Sequence, residues 1–161
     1  MEALIDDKTG DLGRDFDYTL RAFPNHHRAL AALSRWWERT GLSQPRGLRR
    51  PVECYFDRAV RFRPEDTIVR LLYAEFLKKQ QRKFDAIAQV EAALSAAGDH
   101  GFTHYNIGMM FLELGETDRA LVQAQRAAAL GFTRAELRNR LVSSGHWRDV
   151  TPTVDSAPAS N

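Results

Sequence analysis

Two adjacent stretches of this sequence repeat the same pattern of small and apolar residues at a spacing of 34 positions. The matched pairs are Ala74/Gly108, Leu77/Phe111, Ala86/Ala120, Val90/Ala124 and Ala93/Ala127. A period of this length is typical of helix pairs that cannot bury their apolar faces alone and must stack on their neighbours. Because no segment has the alternation of a strand, the sequence predicts an all-α fold.

The length and the residues of the two units, 67–100 and 101–134, resemble those of the tetratricopeptide repeat (TPR) family. Both units place small residues at positions 8, 20 and 27 and larger apolar residues at positions 7 and 11. The resemblance implies a right-handed α-solenoid of antiparallel helix pairs, in which the small residues let the paired helices approach closely. About three TPR units, a leading helix and a C-terminal capping helix are expected.

Two positions depart from the family pattern. Position 4, where the family has a large residue, holds Arg70 and His104, and position 32, where it has proline, holds Gly98 and Phe132. The segments FDYTLRAFPNHHRAL, ECYFDRAVRFRPED and HYNIGMMFLELGETDRAL are also similar to small bacterial TPR proteins of undefined role. Members of that group often carry an export signal.

A distorted third unit precedes the other two, near residues 27–66. Its two halves match the family pattern only if extra residues separate them, and the segment 41–51, which is rich in Gly, Pro and Arg, is the natural insertion. Before this unit, Phe16 and Pro24 fit the second helix of a repeat whose first helix is missing.

The eight predicted helices lie near residues 12–22, 26–40, 50–62, 66–79, 82–97, 101–114, 117–130 and 133–143. The last is interpreted as a capping helix that begins in a capping-box sequence at Thr133. Residues 1–11 are predicted to be a flexible N-terminus and residues 149–161 a disordered tail. Residues 12–148 are therefore expected to form a single TPR domain.

The three tryptophans are expected to have different surroundings. Trp37 occupies position 11 of the first unit and is predicted to lie in the core. Trp36 points to another side of the same helix, where it is either covered by the insertion or exposed to a partner. Trp147 follows the capping helix and is expected to fold back onto it.

Composition and charge limit the classes of function. The net charge of +2 is far from that of a dedicated nucleic-acid-binding protein. The lone cysteine, Cys54, cannot form an internal disulfide and is interpreted as a small buried hydrophobe. No apolar stretch is long enough to span a membrane. The chain as written is expected to be cytoplasmic, and a periplasmic location stays open if an export signal was removed.

The TPR resemblance implies a concave face, lined by the first helix of each unit, that holds an extended peptide or a partner helix. The usual lining positions give a basic end in the first unit and an apolar, aromatic end in the third. In the second unit Ile68 and Leu71 also occupy such positions. The predicted partner-binding residues are Arg28, Arg35, Arg39, Glu75, Lys78, Phe102, Tyr105, Met109 and Glu113. The alternative for each is a solvated or packed side chain.

No catalytic motif, metal site or cofactor site is predicted. His100 and His104 are four residues apart, but no glutamate adjoins the first and His100 precedes the expected helix. His26 and His27 lie in a turn, where residues that begin a helix are expected. All four are interpreted as structural or solvated.

These observations favour a non-catalytic protein-interaction adaptor, with a protein or peptide as its partner. One alternative is a nucleic-acid-associated protein that contacts phosphates through the arginines of Arg46–Arg50. That segment is otherwise interpreted as a solvated loop or an interface edge. The other alternative is a scaffold subunit that associates with a second copy of itself.

Overall fold

The computed structural model describes the backbone of residues 2–149 and the side chains of residues 12–149, and this part of the chain contains helices and no strand. The helices are α1 (Glu2–Ala22), α2 (His27–Thr40), α3 (Val52–Phe62), α4 (Thr67–Lys79), α5 (Lys83–Ser95), α6 (Gly101–Glu113), α7 (Thr117–Ala129) and α8 (Glu136–Ser143). The prediction of an all-α fold of stacked helix pairs is confirmed over these residues. Helices α2 to α7 begin and end within two residues of their predicted bounds.

The two regular units are the pairs α4–α5 and α6–α7, which make the most extensive helix contacts in the described residues. The small residues of the repeat lie at these contacts, and Ala74, Ala86 and Ala120 are fully buried. Gly108 marks a close approach, because a Cβ there would lie 2.6 Å from Leu137 Cδ2 and 3.2 Å from Gln123 Cβ. The repeat pattern therefore specifies where helices can meet.

The order of the helices creates two layers. Helices α2, α4, α6 and α8 contact one another in succession, and we call them the inner layer. Helices α3, α5 and α7 each pack on the two inner helices that flank them in the chain. The arrangement places the first helix of every unit on one continuous surface.

The insertion, residues 41–51, is packed against α1. Its Pro45 and Leu48 are buried. Gly13 of α1 approaches the insertion so closely that a Cβ there would lie 2.1 Å from the carbonyl oxygen of Arg46. The segment is therefore anchored at Pro45 and Leu48, whereas Leu42 and the arginines of the segment stay exposed to solvent.

Two helix starts also differ from the predictions. Helix α1 begins at Glu2 rather than near residue 12, so residues 2–11, which contain no proline, are helical where a flexible N-terminus is expected. Helix α8 begins at Glu136 rather than at Thr133. Gly131 has a left-handed φ of 81°, and the next residue, Phe132, packs on Tyr105 with ring centroids 5.0 Å apart. These two features keep the connection between α7 and α8 from being helical. Residues 150–161 of the predicted tail lie outside the described residues.

The tryptophans connect the ends of the molecule to its core. Trp37 packs on Phe76 with ring centroids 4.8 Å apart, and Trp147 lies beneath the Arg138 guanidinium of α8, as predicted. Trp36 is only 3% exposed, and the ring of Phe16 in α1 lies 5.6 Å from it. The expectation for Trp36 is thus corrected, because α1 supplies a cover that the sequence did not indicate.

Asp66 joins the first unit to the second. It caps α4 by accepting the Val69 backbone N–H at 3.1 Å, and its carboxylate contacts Nε2 of His27 at 2.8 Å. The Asn25 amide also donates to it, at 3.1 Å. Burial acts to raise the pKa of Asp66, but the hydrogen bonds from His27, Val69 and Asn25 outweigh burial and lower this pKa below its ordinary value.

Replacement of Asp66 by alanine is expected to lower the free energy of unfolding by about 1–2 kcal/mol at neutral pH. Because the folded-state pKa is depressed, this contribution is complete above the unfolded-state pKa of about 4 and is lost as the pH falls through the folded-state value. Urea unfolding of both proteins at neutral pH and near pH 3 measures the difference. Glu65→Ala, at an exposed neighbour, is the control. An equal loss at both pH values would contradict a role for the charge.

Candidate binding groove

An apolar groove of about 370 Å³ runs along the inner layer between α4 and α6. Its floor and walls come from both helices, and the side chains that line it are Ile68, Leu71, Leu72, Glu75, Phe102, Asn106, Met109, Met110 and Glu113. Ile68 is 44% exposed and Phe102 52% exposed, although both are large and apolar. Exposed apolar side chains that adjoin in a concavity are typical of binding surfaces.

A chain of ion pairs crosses one end of this groove. Lys78 of α4 bonds Glu75 on its own helix at 2.8 Å and also Glu113 of α6. Lys79 bonds Glu38 of α2 at 2.6 Å and Glu75 at 3.5 Å. Burial acts to lower the pKa of Lys78, but its hydrogen bonds to Glu113 and Glu75 outweigh burial and raise that pKa. The two lysines thus connect carboxylates of three inner helices.

The predicted groove residues fall into three groups. Glu75, Phe102, Met109 and Glu113 line the groove, and Lys78 pairs with its acids at the rim. The structure brings these five residues of the second and third units together. Their role in binding stays a prediction.

Tyr105 does not line the groove. It is 4% exposed, packs on Phe132, and donates its hydroxyl to Glu136 at 3.3 Å. The connection to α8 covers this residue, which the repeat pattern of a single unit does not reveal. Burial and the charge of Glu136 raise the pKa of Tyr105.

The arginines of the first unit are also separate from the groove. Arg35 and Arg39 line another depression, of about 470 Å³, between α2 and the Leu12 and Phe16 side chains of α1. Arg28 is exposed and lines neither concavity. The three predicted arginines therefore lie outside the α4–α6 groove, and their role in binding stays a prediction.

Three groove residues were not predicted: Leu72, Asn106 and Met110. Leu72 and Asn106 occupy the same position, 6, of successive units, one residue beyond a usual lining position. Their 34-residue spacing was the available signal, since equivalent positions on α4 and α6 face the same surface.

His104 has a structural role. It is 7% exposed, its Nε2–H donates to the Gly98 carbonyl at 2.8 Å, and its Nδ1 lies 2.7 Å from the Gln123 side-chain amide. The imidazole thus ties α6 to α7 and to the preceding turn, at a position where the family has a large residue. Among the described side chains, no group of three or more His, Cys, Asp or Glu residues is arranged to hold a metal ion.

Comparison with known proteins shows likeness to solved structures. No family model matches the chain, and no curated protein matches it. A solved structure named MamA MSR-1 C2 is similar to it, with a TM-score of 0.46, 18% identical residues, and coverage of 77% of this chain and 70% of that one. In the described part of the chain, no helix is both long enough and apolar enough to cross a membrane.

Proposed function

We propose that this protein is a non-catalytic adaptor that binds a peptide or a partner helix in the groove between α4 and α6. The observation that carries the proposal is the exposure of Ile68 and Phe102 beside the apolar side chains of that groove. Full burial of such a side chain from water gains about 1.5–3 kcal/mol, and a partner that covers these half-exposed side chains gains about half of that for each.

The charges around the groove indicate what kind of segment it accepts. Lys78 is already bonded to Glu75 and Glu113, so a ligand charge has to compete with existing ion pairs. The open contacts are apolar, and Met109 and Met110 provide side chains that adapt to different shapes. The fitting ligand therefore presents two or three apolar side chains along an extended strand or one helix face.

Peptides selected from a random library against the wild-type protein test the proposal. We expect them to share closely spaced apolar residues, and to bind the double variant Ile68→Ser/Phe102→Ala at least about tenfold more weakly, which corresponds to about 1.4 kcal/mol. Fluorescence polarisation with a labelled peptide measures the two affinities.

A matched control uses exposed apolar residues outside the groove. Phe84 of α5 is 86% exposed and Val122 of α7 is 57% exposed. The double variant Phe84→Ala/Val122→Ser removes similar side chains and is expected to bind the peptide like wild type. The groove is excluded as the binding surface if the control loses as much affinity as the groove variant, or if the folded groove variant loses none.

A further inference from the structure

A second concave surface lies between α1, the insertion and α3, and it is lined mainly by arginine. Two adjoining cavities form it, of about 440 and 320 Å³, which share Arg50, Cys54 and Arg58. We call this surface the arginine cleft. Its arginines are Arg21 of α1, Arg49 and Arg50 of the insertion, and Arg58 and Arg61 of α3.

A buried carboxylate holds the arginines on one side of the cleft. Asp17 is 5% exposed, and it accepts a hydrogen bond of 2.6 Å from the hydroxyl of Tyr55. Nε of Arg21 and Nε of Arg49 lie 3.1 and 3.4 Å from its other oxygen. Burial, followed by the hydrogen bond and the charge of Asp17, raises the pKa of Tyr55, so its hydroxyl keeps the proton that it donates.

The opposite side of the cleft is positioned from α1. Nη2 of Arg58 donates to the backbone carbonyl of Arg21 at 3.0 Å. This contact uses one donor of a guanidinium that has five, and the others are available to a ligand. The side chains of three different segments are therefore ordered around one space before any ligand arrives.

The charges of the cleft are not balanced within the described side chains. Its five arginines face two carboxylates, Asp17 and Asp57, which leaves an excess of three positive charges. Asp57 accepts a hydrogen bond of 2.8 Å from the hydroxyl of Tyr73. No described carboxylate forms an ion pair with Arg50, Arg58 or Arg61.

We propose that the arginine cleft binds a ligand that carries a phosphate monoester. Guanidinium groups bond phosphate oxygens in pairs, and a monoester brings a charge of about −1.5 to −2 at neutral pH, against −1 for a carboxylate. The excess of positive charge thus favours the monoester. The phosphate belongs either to a small molecule or to a phosphorylated side chain of a protein. This proposal is independent of the α4–α6 groove.

Cys54 provides a local measurement of binding. It is half-buried, it lines both cavities, and it is the only cysteine of the chain, so alkylation by iodoacetamide can be followed by mass spectrometry. Phenyl phosphate is the probe, and benzoate is the matched carboxylate. We expect saturating phenyl phosphate to slow alkylation of Cys54 at least about fivefold, and to do so at a concentration at least about tenfold lower than benzoate.

Two double variants with the same change in net charge distinguish binding in the arginine cleft from general electrostatic attraction to the protein. Arg50→Gln/Arg58→Gln removes two arginines from the cleft and is expected to weaken phenyl phosphate binding at least about tenfold. Arg119→Gln/Arg126→Gln removes two arginines that pair with Glu91 and Asp99 on the surface, and it is expected to bind like wild type. Circular dichroism verifies that both variants are folded.

The outcomes are distinct. Equal protection by benzoate and phenyl phosphate, or equal weakening in the two double variants, would overturn the proposal. Tighter cleft-dependent binding of a single-stranded oligothymidylate at physiological ionic strength would also overturn it, in favour of nucleic-acid phosphodiesters. A phosphoserine peptide that binds more tightly than phenyl phosphate, while its unphosphorylated twin does not bind, would support the proposal and assign the phosphate to a modified protein.

Discussion

Replacement of Phe56 by alanine is expected to lower the free energy of unfolding by about 3–5 kcal/mol. Phe56 is fully buried in α3, and its ring stacks on Tyr73 and Phe76 of α4 with centroids 5.3 and 5.0 Å apart. Truncation removes the contacts of the ring and leaves a cavity between α3 and α4 that small movements cannot close. Urea unfolding, followed by circular dichroism, measures the loss.

Phe84→Ala is the matched control, because Phe84 is 86% exposed and its removal is expected to change stability by less than about 0.5 kcal/mol. The comparison tests whether the distorted first unit belongs to the same cooperative core as the regular units. A loss below about 1 kcal/mol for Phe56→Ala would show that α3 is only loosely attached to α4.

Replacement of Trp36 by alanine is expected to cost a similar amount, about 3–5 kcal/mol. Trp36 is 3% exposed on α2, and its principal aromatic neighbour is Phe16 of α1 at 5.6 Å. The substitution removes the surface on which α1 rests, so the backbone amides near Phe16 are expected to lose protection from hydrogen exchange. Urea unfolding and hydrogen-exchange mass spectrometry measure the two effects.

A double-mutant cycle isolates the contact itself. Trp36→Ala and Phe16→Ala are expected to couple by about 0.5–1.5 kcal/mol, the range of aromatic pairs. Arg35→Ala, at an exposed position next to Trp36, is the control and is expected to leave both stability and exchange near Phe16 unchanged. Additive losses in the cycle would mean that the two rings stabilise the fold independently.

The candidate groove was predictable only in part. The lining positions that the TPR resemblance implies, carried onto the second and third units, identified Glu75, Phe102, Met109 and Glu113. The same rule failed for Tyr105, which Phe132 and α8 cover. A repeat position specifies which way a side chain points within its unit. The units or caps that follow determine whether that side chain is exposed to solvent.

The arginine cleft was also predictable only in part. The sequence indicated a group of arginines in the insertion, which supported either phosphate contacts or a solvated loop. It did not indicate Asp17, which lies 32 residues before Arg49 in the chain and bonds it at 3.4 Å. Contacts between segments without a repeat relation leave no periodic signal, so the partners of these arginines were not predictable.

The 34-residue repeat by itself determined the order and bounds of α4 to α7 and the small residues at their contacts, and the resemblance to the TPR pattern extended the bounds to α2 and α3. Local periodicity and close packing are sufficient for these features, since each depends on residues within one unit or its neighbour. Only the tertiary structure established that α1 covers Trp36, that the insertion packs beside Gly13, and that Tyr105 is buried. Those features depend on apolar surface buried between segments that do not repeat, and burial of that kind is non-directional and leaves no pattern in the sequence.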